Sequence, residues 1–270
     1  ENCNFTIVEI SAAITSLGEG VLMGNKNLET VLLPNSIKDI PSYFFQNCAK
    51  LQNINIPESV LTIGKYAFTA CDNLKSITFP SLLSQIDDYA FWKCSSLSSI
   101  DFGMNPSLIS FGKYSFNGCQ SLINLELPQS LSSLGSAAFM DCLNLETVSI
   151  PKNVASIGDY AFMNCEKLNS ITVFRSLPLS LLETSGVFSN VNTSTCKLKV
   201  PYGSQSQYAK ALVWKDFLTI EESPMLEKQV YTSPGMLSSQ LTTDELQSLS
   251  KLIISGGIDA TDFKTMRDNM

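Results

Sequence analysis

The sequence predicts a solenoid, in which a motif of about 23 residues winds once per copy and successive windings stack on one another. The first observation is a phenylalanine that recurs at steps of 23, 23, 25, 23 and 23 residues. The second is a cysteine that always follows three residues after it, and the third is a strand-like segment, Leu-x-x-Ile-x-Ile-Pro, that comes next. The two structural ladders consist of Phe45, Phe68, Phe91, Phe116, Phe139 and Phe162, and of Cys48, Cys71, Cys94, Cys119, Cys142 and Cys165.

The segment after each cysteine predicts a short strand with one buried face, because its apolar residues alternate. In one copy, Leu74, Ile77 and Phe79 should face the core, and Pro80 should end the strand. A single copy buries too little apolar surface to be stable, so the copies must share one core and join their strands into a parallel sheet on one face. The step of 25 residues arises at 103–111, where an insertion should bulge outward and leave the coils in register.

The pattern continues past the clear copies at both ends, so the solenoid with its cap is predicted to span residues 1–220. Near the start, Phe5, Val8 and Ile10 fit the strand of an early coil, and the next coil carries Asn25 in place of cysteine. Near the end, the segment 198–201 is predicted to be the last strand.

A C-terminal cap should follow from about residue 201, because Tyr208, Trp214 and Phe217 have spacings suited to an amphipathic helix. Such a helix would cover the exposed last coil.

Residues 221–239 are predicted to be a linker and residues 240–270 a short helical tail. Thr242 and Glu245 have the spacing of a capping box at a helix start, whereas 252–254 also fits a strand. The tail is too short for a core of its own. We therefore hypothesise that it is the N-terminal cap of a following repeat array, or that 240–270 makes a head-to-tail contact with a neighbouring chain.

Composition excludes several classes of function. The net charge of −7 and pI of about 4.7 argue against binding to nucleic acid, and no apolar run is long enough to span a membrane. The chain has no histidine, which removes Ser-His and Cys-His nucleophile pairs and histidine-bearing metal sites. We expect no cofactor and no metal, and we predict that the protein is not an enzyme.

The unit from Ile63 to Pro80, Ile-Gly-Lys-Tyr-Ala-Phe-x-x-Cys-x-x-Leu-x-x-Ile-x-Phe-Pro, resembles the BspA-type leucine-rich repeat, a class of bacterial surface protein. The resemblance covers about residues 5–201, and 200–204 with the later aromatic residues resembles the family's C-terminal cap. It implies a secreted or cell-surface protein that binds without catalysis, as an adhesin does, and it names no ligand. Ala137 departs from the usual tyrosine. Residues 1–4 match no part of an export leader, so a leader would lie outside this sequence.

The outward positions of the strands form a candidate binding surface, because alternation turns them away from the core. They carry hydroxyls and amides and only two carboxylates, which suits a protein or carbohydrate ligand. The alternative is a merely solvated sheet face in a structural spacer of a longer surface protein. The candidate ligand-binding residues, called the open face below, are Asn53, Asn55, Ser76, Thr78, Ser99, Asp101, Asn124, Glu126, Thr147 and Ser149.

A third hypothesis is a glycosidase, an enzyme class that uses a pair of carboxylates. Asp101 and Glu126 lie on adjacent predicted coils, so their carboxylates could approach to the separation that such enzymes use. A flat, open face lacks the cleft that would shift the pKa of a catalytic acid, so this hypothesis ranks below binding and below the spacer.

Two further in-register rows have structural explanations. The cysteines have neither a C-x-x-C pair nor a histidine co-ligand, so we expect a stack of buried thiols. A second row, called the tyrosine row, would either bind a glycan or peptide or, as we favour, stack on itself and cover the edge of the core. Its members are Tyr43, Tyr66, Tyr89, Tyr114 and Tyr160.

Overall fold

A computed structural model describes residues 5–103, 107–223, 227–232, 251–256, 261–262 and 264 of the chain. The described residues form a parallel β-solenoid of about nine coils with roughly 23 residues per coil and little helix, which confirms the predicted fold. In chain order, the strands are β1 Ile7–Glu9, β2 Thr30–Leu32, β3 Asp39–Ile40, β4 Asn53–Ile54, β5 Thr62–Ile63, β6 Ser76–Thr78, β7 Gln85–Ile86, β8 Ser99–Asp101, β9 Ser110–Phe111, β10 Asn124–Glu126, β11 Ser133–Leu134, β12 Thr147–Ile150, β13 Ser156–Ile157, β14 Ser170–Val173, β15 Lys197–Val200, β16 Thr219–Glu222, β17 Glu227–Thr232 and β18 Lys251–Gly256.

The first face of the solenoid contains the predicted strands, and it is divided into three sheets. They are β1-β2-β4, β6-β8 and β10-β12-β14-β15-β16, and every pair within them is parallel. The alternation is as predicted, since Ile77 is buried while Ser76 and Thr78 are exposed. The continuous sheet that the repeat suggests is interrupted twice, between β4 and β6 and between β8 and β10.

The second face carries a strand of two residues in each of six coils, and these join without a break in the order β13-β11-β9-β7-β5-β3. Thr62 pairs with Gln85, and Gln85 pairs with Ser110 across the longer step. The two extra residues of that coil are therefore absorbed without loss of register on this face.

The core is a stack of the ladder phenylalanines. Phe68 and Phe91 lie with ring centroids 4.9 Å apart and planes within 5° of parallel, so equivalent residues of successive coils lie directly above one another. Phe188 continues the stack 5.8 Å beyond Phe162. All six ladder phenylalanines are fully buried, and burial of each contributes about 1.5–3 kcal/mol.

The Ile-Gly step of the repeat marks a close approach of successive coils. A Cβ atom at Gly158 would lie 2.4 Å from the backbone nitrogen of Ser136, and one at Gly135 would lie 2.5 Å from the backbone of Gly112. Only glycine fits at these two contacts.

Eight of the described coils also have a corner loop in which two residues adopt left-handed backbone. In one loop these are Tyr66, with φ of 58°, and Ala70, with φ of 55°. The amides of Tyr66, Phe68 and Ala70 donate to the next coil at 3.2, 2.7 and 2.8 Å. These hydrogen bonds between coils offset the cost of left-handed backbone at residues other than glycine.

The C-terminal end differs from the prediction. β16 adds a strand beyond the predicted last one, so the sheet extends into the segment predicted to be a linker. The predicted capping helix is reduced to α1 (Gln205–Tyr208) and two 3₁₀ turns, Glu183–Ser185 before it and Trp214–Asp216 after it. The cap aromatics are nevertheless buried: Tyr208 and Trp214 are fully inaccessible to solvent.

The predicted linker and helical tail are wrong at β17 and β18, which pair in parallel with Glu227 opposite Lys251. Of the two alternatives for 252–254, the strand is correct, because Ile253 and Ile254 are β-branched and a partner strand is available. Residues 261, 262 and 264 are helical, in agreement with the predicted helical tail at this point of the chain. The predicted capping box at 242–245 lies outside the described residues. Within the described part of the chain, no helix combines the length and apolarity that a bilayer span requires.

Candidate functional site

The open face is solvent-accessible along most of its length. Eight of its ten residues are exposed, and Thr147 and Ser149 are half-buried. Asn53, Asn55 and Ser76 make no side-chain hydrogen bond to any described residue, so their polar groups face solvent. The polar groups that a ligand would need are therefore present on a surface held rigid by the packed core beneath it.

Three positions of the open face are partly engaged within the protein. The Thr147 hydroxyl donates to Asn124 Oδ1 at 2.7 Å, across neighbouring strands. Asp101 Oδ1 accepts from the backbone amide of Gly103 at 2.8 Å, which fixes the turn after β8. The more available hydrogen-bonding groups lie toward the N-terminal half of the face.

The C-terminal end of the first face carries charged residues that are not among the candidate ligand-binding residues. Lys197 and Lys199 are the exposed residues of β15, and Lys197 Nζ lies 2.9 Å from Glu221 Oε1. The alternation in 197–200 would have revealed both lysines, whereas Glu221 fell in the predicted linker. Because the pair is solvent-exposed, it contributes about 0–1 kcal/mol to stability.

The structure does not assemble Asp101 and Glu126 into a catalytic site. They lie on β8 and β10, which belong to different sheets, and both side chains are exposed. The described residues contain grooves of about 390 and 560 Å³ at the C-terminal cap, and neither carboxylate lines them. No group of residues with metal-binding chemistry occurs in the described ranges.

The cysteine ladder is a column of buried, reduced thiols. Each Sγ donates to a carbonyl oxygen of the preceding coil, as Cys94 does to Phe68 at 3.0 Å. Burial raises the pKa of Cys94 to about 12, with the backbone hydrogen bond opposing the shift. Cys196 lies off the ladder and is also a buried free thiol, while Cys3 lies outside the described residues. Neutral, buried thiols of this kind act as small apolar side chains.

The tyrosine row is stacked over four of its five members. The ring centroids of Tyr43, Tyr66, Tyr89 and Tyr114 are 5.1, 4.7 and 4.9 Å apart, with planes within 4–6° of parallel. Tyr160 stands apart from this stack because Ala137 occupies the coil between it and Tyr114.

A chain of polar side chains runs beside the tyrosine row, and sequence reasoning did not identify it. Trp92 Nε1 donates to Asn117 Oδ1 at 2.8 Å, and Asn117 Nδ2 lies 3.4 Å from Asp141 Oδ2. Asn164 Nδ2 then donates to Asp141 Oδ1 at 2.6 Å, and Asn190 Nδ2 donates to Asn164 Oδ1 at 2.7 Å. The available signal was limited to Asp141 and Asn164, the polar residues that directly precede Cys142 and Cys165.

A comparison with solved structures found matches, each with a TM-score below 0.5. A leucine-rich repeat protein from Bacteroides ovatus is 19% identical, and the match covers 94% of this chain and 74% of that one with a TM-score of 0.42. The T. pallidum leucine-rich repeat protein is 28% identical over 63% of this chain and 73% of its own, with a TM-score of 0.47. The pneumococcal vaccine antigen PcpA is 20% identical over 93% and 68%, with a TM-score of 0.42.

The family comparison rests on the repeat itself. No curated protein matches the chain. The family model described as BspA type leucine rich repeat region matches residues 1–110 and 102–204, with six copies. This match spans well over half of the sequence and coincides with the stacked coils. The protein therefore belongs to the BspA-type leucine-rich repeat family.

Proposed function

We propose that the protein is a noncatalytic binding module, adhesin-like, that recognises a protein or glycan through the open face at a cell surface or after secretion. The observation that carries the proposal is the row of exposed amides and hydroxyls on strands whose opposite side is fully packed. A ligand lying along the coils would form many weak hydrogen bonds to groups that need no reorganisation.

Membership of a repeat family supports binding or a structural role over catalysis, since the matched family model describes a repeat region and not a catalytic domain. The extracellular location is part of the proposal and follows from the family resemblance. The open face has few charges, so shape and hydrogen bonding, rather than electrostatic steering, would determine which ligand binds.

The test begins with arrays of glycans and of extracellular proteins, followed by binding measurements on any ligand found. We expect the combined variant Asn53→Ala, Asn55→Ala and Asp101→Asn to weaken binding at least tenfold, because it removes the two free amides of Asn53 and Asn55 and the charge of Asp101.

The matched control changes three exposed residues of the second face: Asp39→Asn, Gln85→Ala and Ser156→Ala. Equal losses in both variants, or unchanged affinity in the open-face variant, would contradict the proposal. Arrays without any ligand would favour the structural spacer. Polysaccharide turnover that Asp101→Asn abolishes would instead support the glycosidase.

A further inference from the structure

The corner loops donate backbone hydrogen bonds in one direction, from each coil to the next. In one coil the amides of Tyr160, Phe162 and Asn164 donate to carbonyl oxygens of the following coil at 2.8, 2.9 and 2.9 Å. The same three positions donate in six successive coils. Each corner loop therefore directs three amides, from alternate residues, toward the C-terminal end of the solenoid.

The last corner loop has the same backbone but lacks the acceptors. Gly186 and Asn190 have φ angles of 58° and 64°, close to the 61° of both Tyr160 and Asn164 in the preceding coil. The amides of Gly186, Phe188 and Asn190 donate no hydrogen bond to any described residue. Backbone amides are strong donors, so these three can be satisfied only by water or by a ligand.

A groove of about 390 Å³ lies beside these amides, a volume in the range of ligand sites. The last corner loop lines it with Gly186, Phe188 and Ser189, and the cap lines it with Val213 and Lys215. Because the cap follows the last coil along the solenoid, the groove lies on the side to which the amides point.

The cap wall of the groove contains a strained residue. Val213 has φ of 71° and ψ of −45°, and among the described residues no other β-branched side chain has a positive φ. Such a conformation is costly for valine, and strain of this kind is found mostly at binding and catalytic sites.

The charges around the groove favour a peptide over a free anion. Glu183, Lys215 and Asp216 line it, so its net charge is −1. Lys215 Nζ lies 3.4 Å from Glu183 Oε1, whereas Asp216 makes no ion pair with any described residue. A free anion would be repelled by this charge, while the neutral carbonyl oxygens of a peptide would not. The carboxylate of Asp216 suits a lysine or arginine side chain.

We propose that the groove binds a peptide segment of a partner protein, with a basic side chain beside Asp216. The carbonyl oxygens of the segment accept from the amides of Gly186, Phe188 and Asn190. The three donors come from alternate residues, so they match alternate carbonyls of one segment, which the following coil supplies elsewhere in the solenoid. The site lies at the cap and does not depend on ligand binding at the open face.

NMR of the full ¹⁵N-labelled chain tests the groove with the peptide acetyl-Lys-Tyr-Ala-Gly-Thr-Ala-amide. The peptide copies residues 65–70, whose carbonyls accept from the preceding coil at 2.7–2.8 Å. Glycine replaces Phe68, because Trp214 already contacts Phe188 in the core. We expect a Kd of about 0.1–1 mM. Hydrogen exchange at the three free amides should slow at least tenfold when the peptide is saturating.

Two variants of the groove should weaken binding of the peptide. Ser189→Trp fills the groove beside the amides, and we expect it to abolish binding. Asp216→Lys reverses the exposed charge that faces the basic side chain, and it should weaken binding at least tenfold. Glu166→Lys is the matched control, because it makes the same change of charge at an exposed residue that does not line the groove, and it should leave binding unchanged.

Unchanged exchange at the three amides, or binding that survives both groove variants, would overturn the proposal. Sodium sulfate is the comparison probe. If sulfate protects the amides and the peptide does not, the groove is an anion site and the assigned ligand class is wrong. Self-association of the wild-type chain that Ser189→Trp abolishes would make a second copy the occupant, and would overturn the assignment to a partner protein.

Discussion

Asn25 stands in the second coil at the position that cysteine occupies in the six following coils. Its buried amide is unfavourable for the stability of the fold. Asn25 is only 3% exposed, and neither its Nδ2 nor its Oδ1 has a hydrogen-bond partner among the described residues. Ser115 Oγ is a similar case, at a position where other coils carry alanine. A buried polar atom without a partner loses its hydration and gains nothing in return.

We therefore expect Asn25→Cys to raise the free energy of unfolding by about 1–3 kcal/mol, and Ser115→Ala to raise it in the same direction. Denaturant titration followed by circular dichroism measures both changes. Asn55→Cys, the same substitution at an exposed position, should change stability by less than about 0.5 kcal/mol. A loss of stability in Asn25→Cys would show that the asparagine has a role in the fold that its contacts do not reveal.

At the scale of a structural element, the cysteine ladder links stability to alkaline pH. Burial raises the pKa of Cys94 and of Cys165 to about 12, above the value of about 8.5 for an exposed thiol. The folded state therefore keeps protons that the unfolded chain releases as pH rises. The stability that the thiols contribute is fully present below about pH 8.5 and falls as pH increases toward the folded pKa.

We predict that the free energy of unfolding falls between pH 8 and pH 11, and that Cys94 contributes on the order of 2 kcal/mol to this fall at pH 10. Urea titrations of the reduced protein at pH 7.5 and pH 10 measure the fall. Cys94→Ala cannot ionise, so its fall should be smaller than that of the wild type, whatever its stability at pH 7.5. An identical fall in both proteins would mean that groups other than this thiol determine the alkaline limit.

The elements that sequence reasoning predicted are those with a repeated side-chain pattern. The step between Phe68 and Phe91 predicted the stack, and the alternation around Ile77 predicted the first-face strands. The second-face strands have two residues each, too few for an alternation to show. β16 was missed because three of its four residues are polar, and because all four positions from Thr219 to Glu222 are half-buried and show no alternation. Ala137 was visible in the sequence as a departure from the usual tyrosine, whereas the stacking of the neighbouring tyrosine rings became apparent only in the structure.

At the scale of the whole molecule, stability depends on closing the C-terminal end of a core that is continuous along the solenoid. Trp214 is fully buried, its Nε1 donates to the carbonyl of Leu179 at 2.9 Å, and its ring contacts Phe188 edge to face. In this way the cap joins the last ring of the phenylalanine stack.

We expect Trp214→Ala to lower the free energy of unfolding by about 3–5 kcal/mol, because it leaves a cavity against Phe188 and an unpaired carbonyl at Leu179. Thermal and chemical unfolding both report this loss. Tyr202→Ala changes an aromatic residue of the same cap that is half exposed, and it should cost less than about 1 kcal/mol. If the two variants lost stability equally, Trp214 would not be the residue that closes the core.

The residues of the open face were predicted from the sequence, but the division of the first face into three sheets was not. Alternation decides which side chains point outward, and this placed Asn53 and Asp101 correctly on the surface. Whether neighbouring strands pair depends on small shifts between coils, and sequence spacing does not encode these shifts. The break between β8 and β10 falls at the coil with the longer step of 25 residues, and this longer step is the feature of the sequence that indicates an irregularity there.

The unequal construction of the two faces determines how the molecule can bend. One side is a single strip of six hydrogen-bonded strands, and the other consists of three panels separated by two gaps. Flexing that tilts the panels against one another breaks no strand pairing at the gaps, whereas flexing that parts the strip must break backbone hydrogen bonds. The strip therefore acts as a spine that keeps successive coils in register where the three sheets are not paired with one another, so the exposed amides keep fixed positions above the packed core.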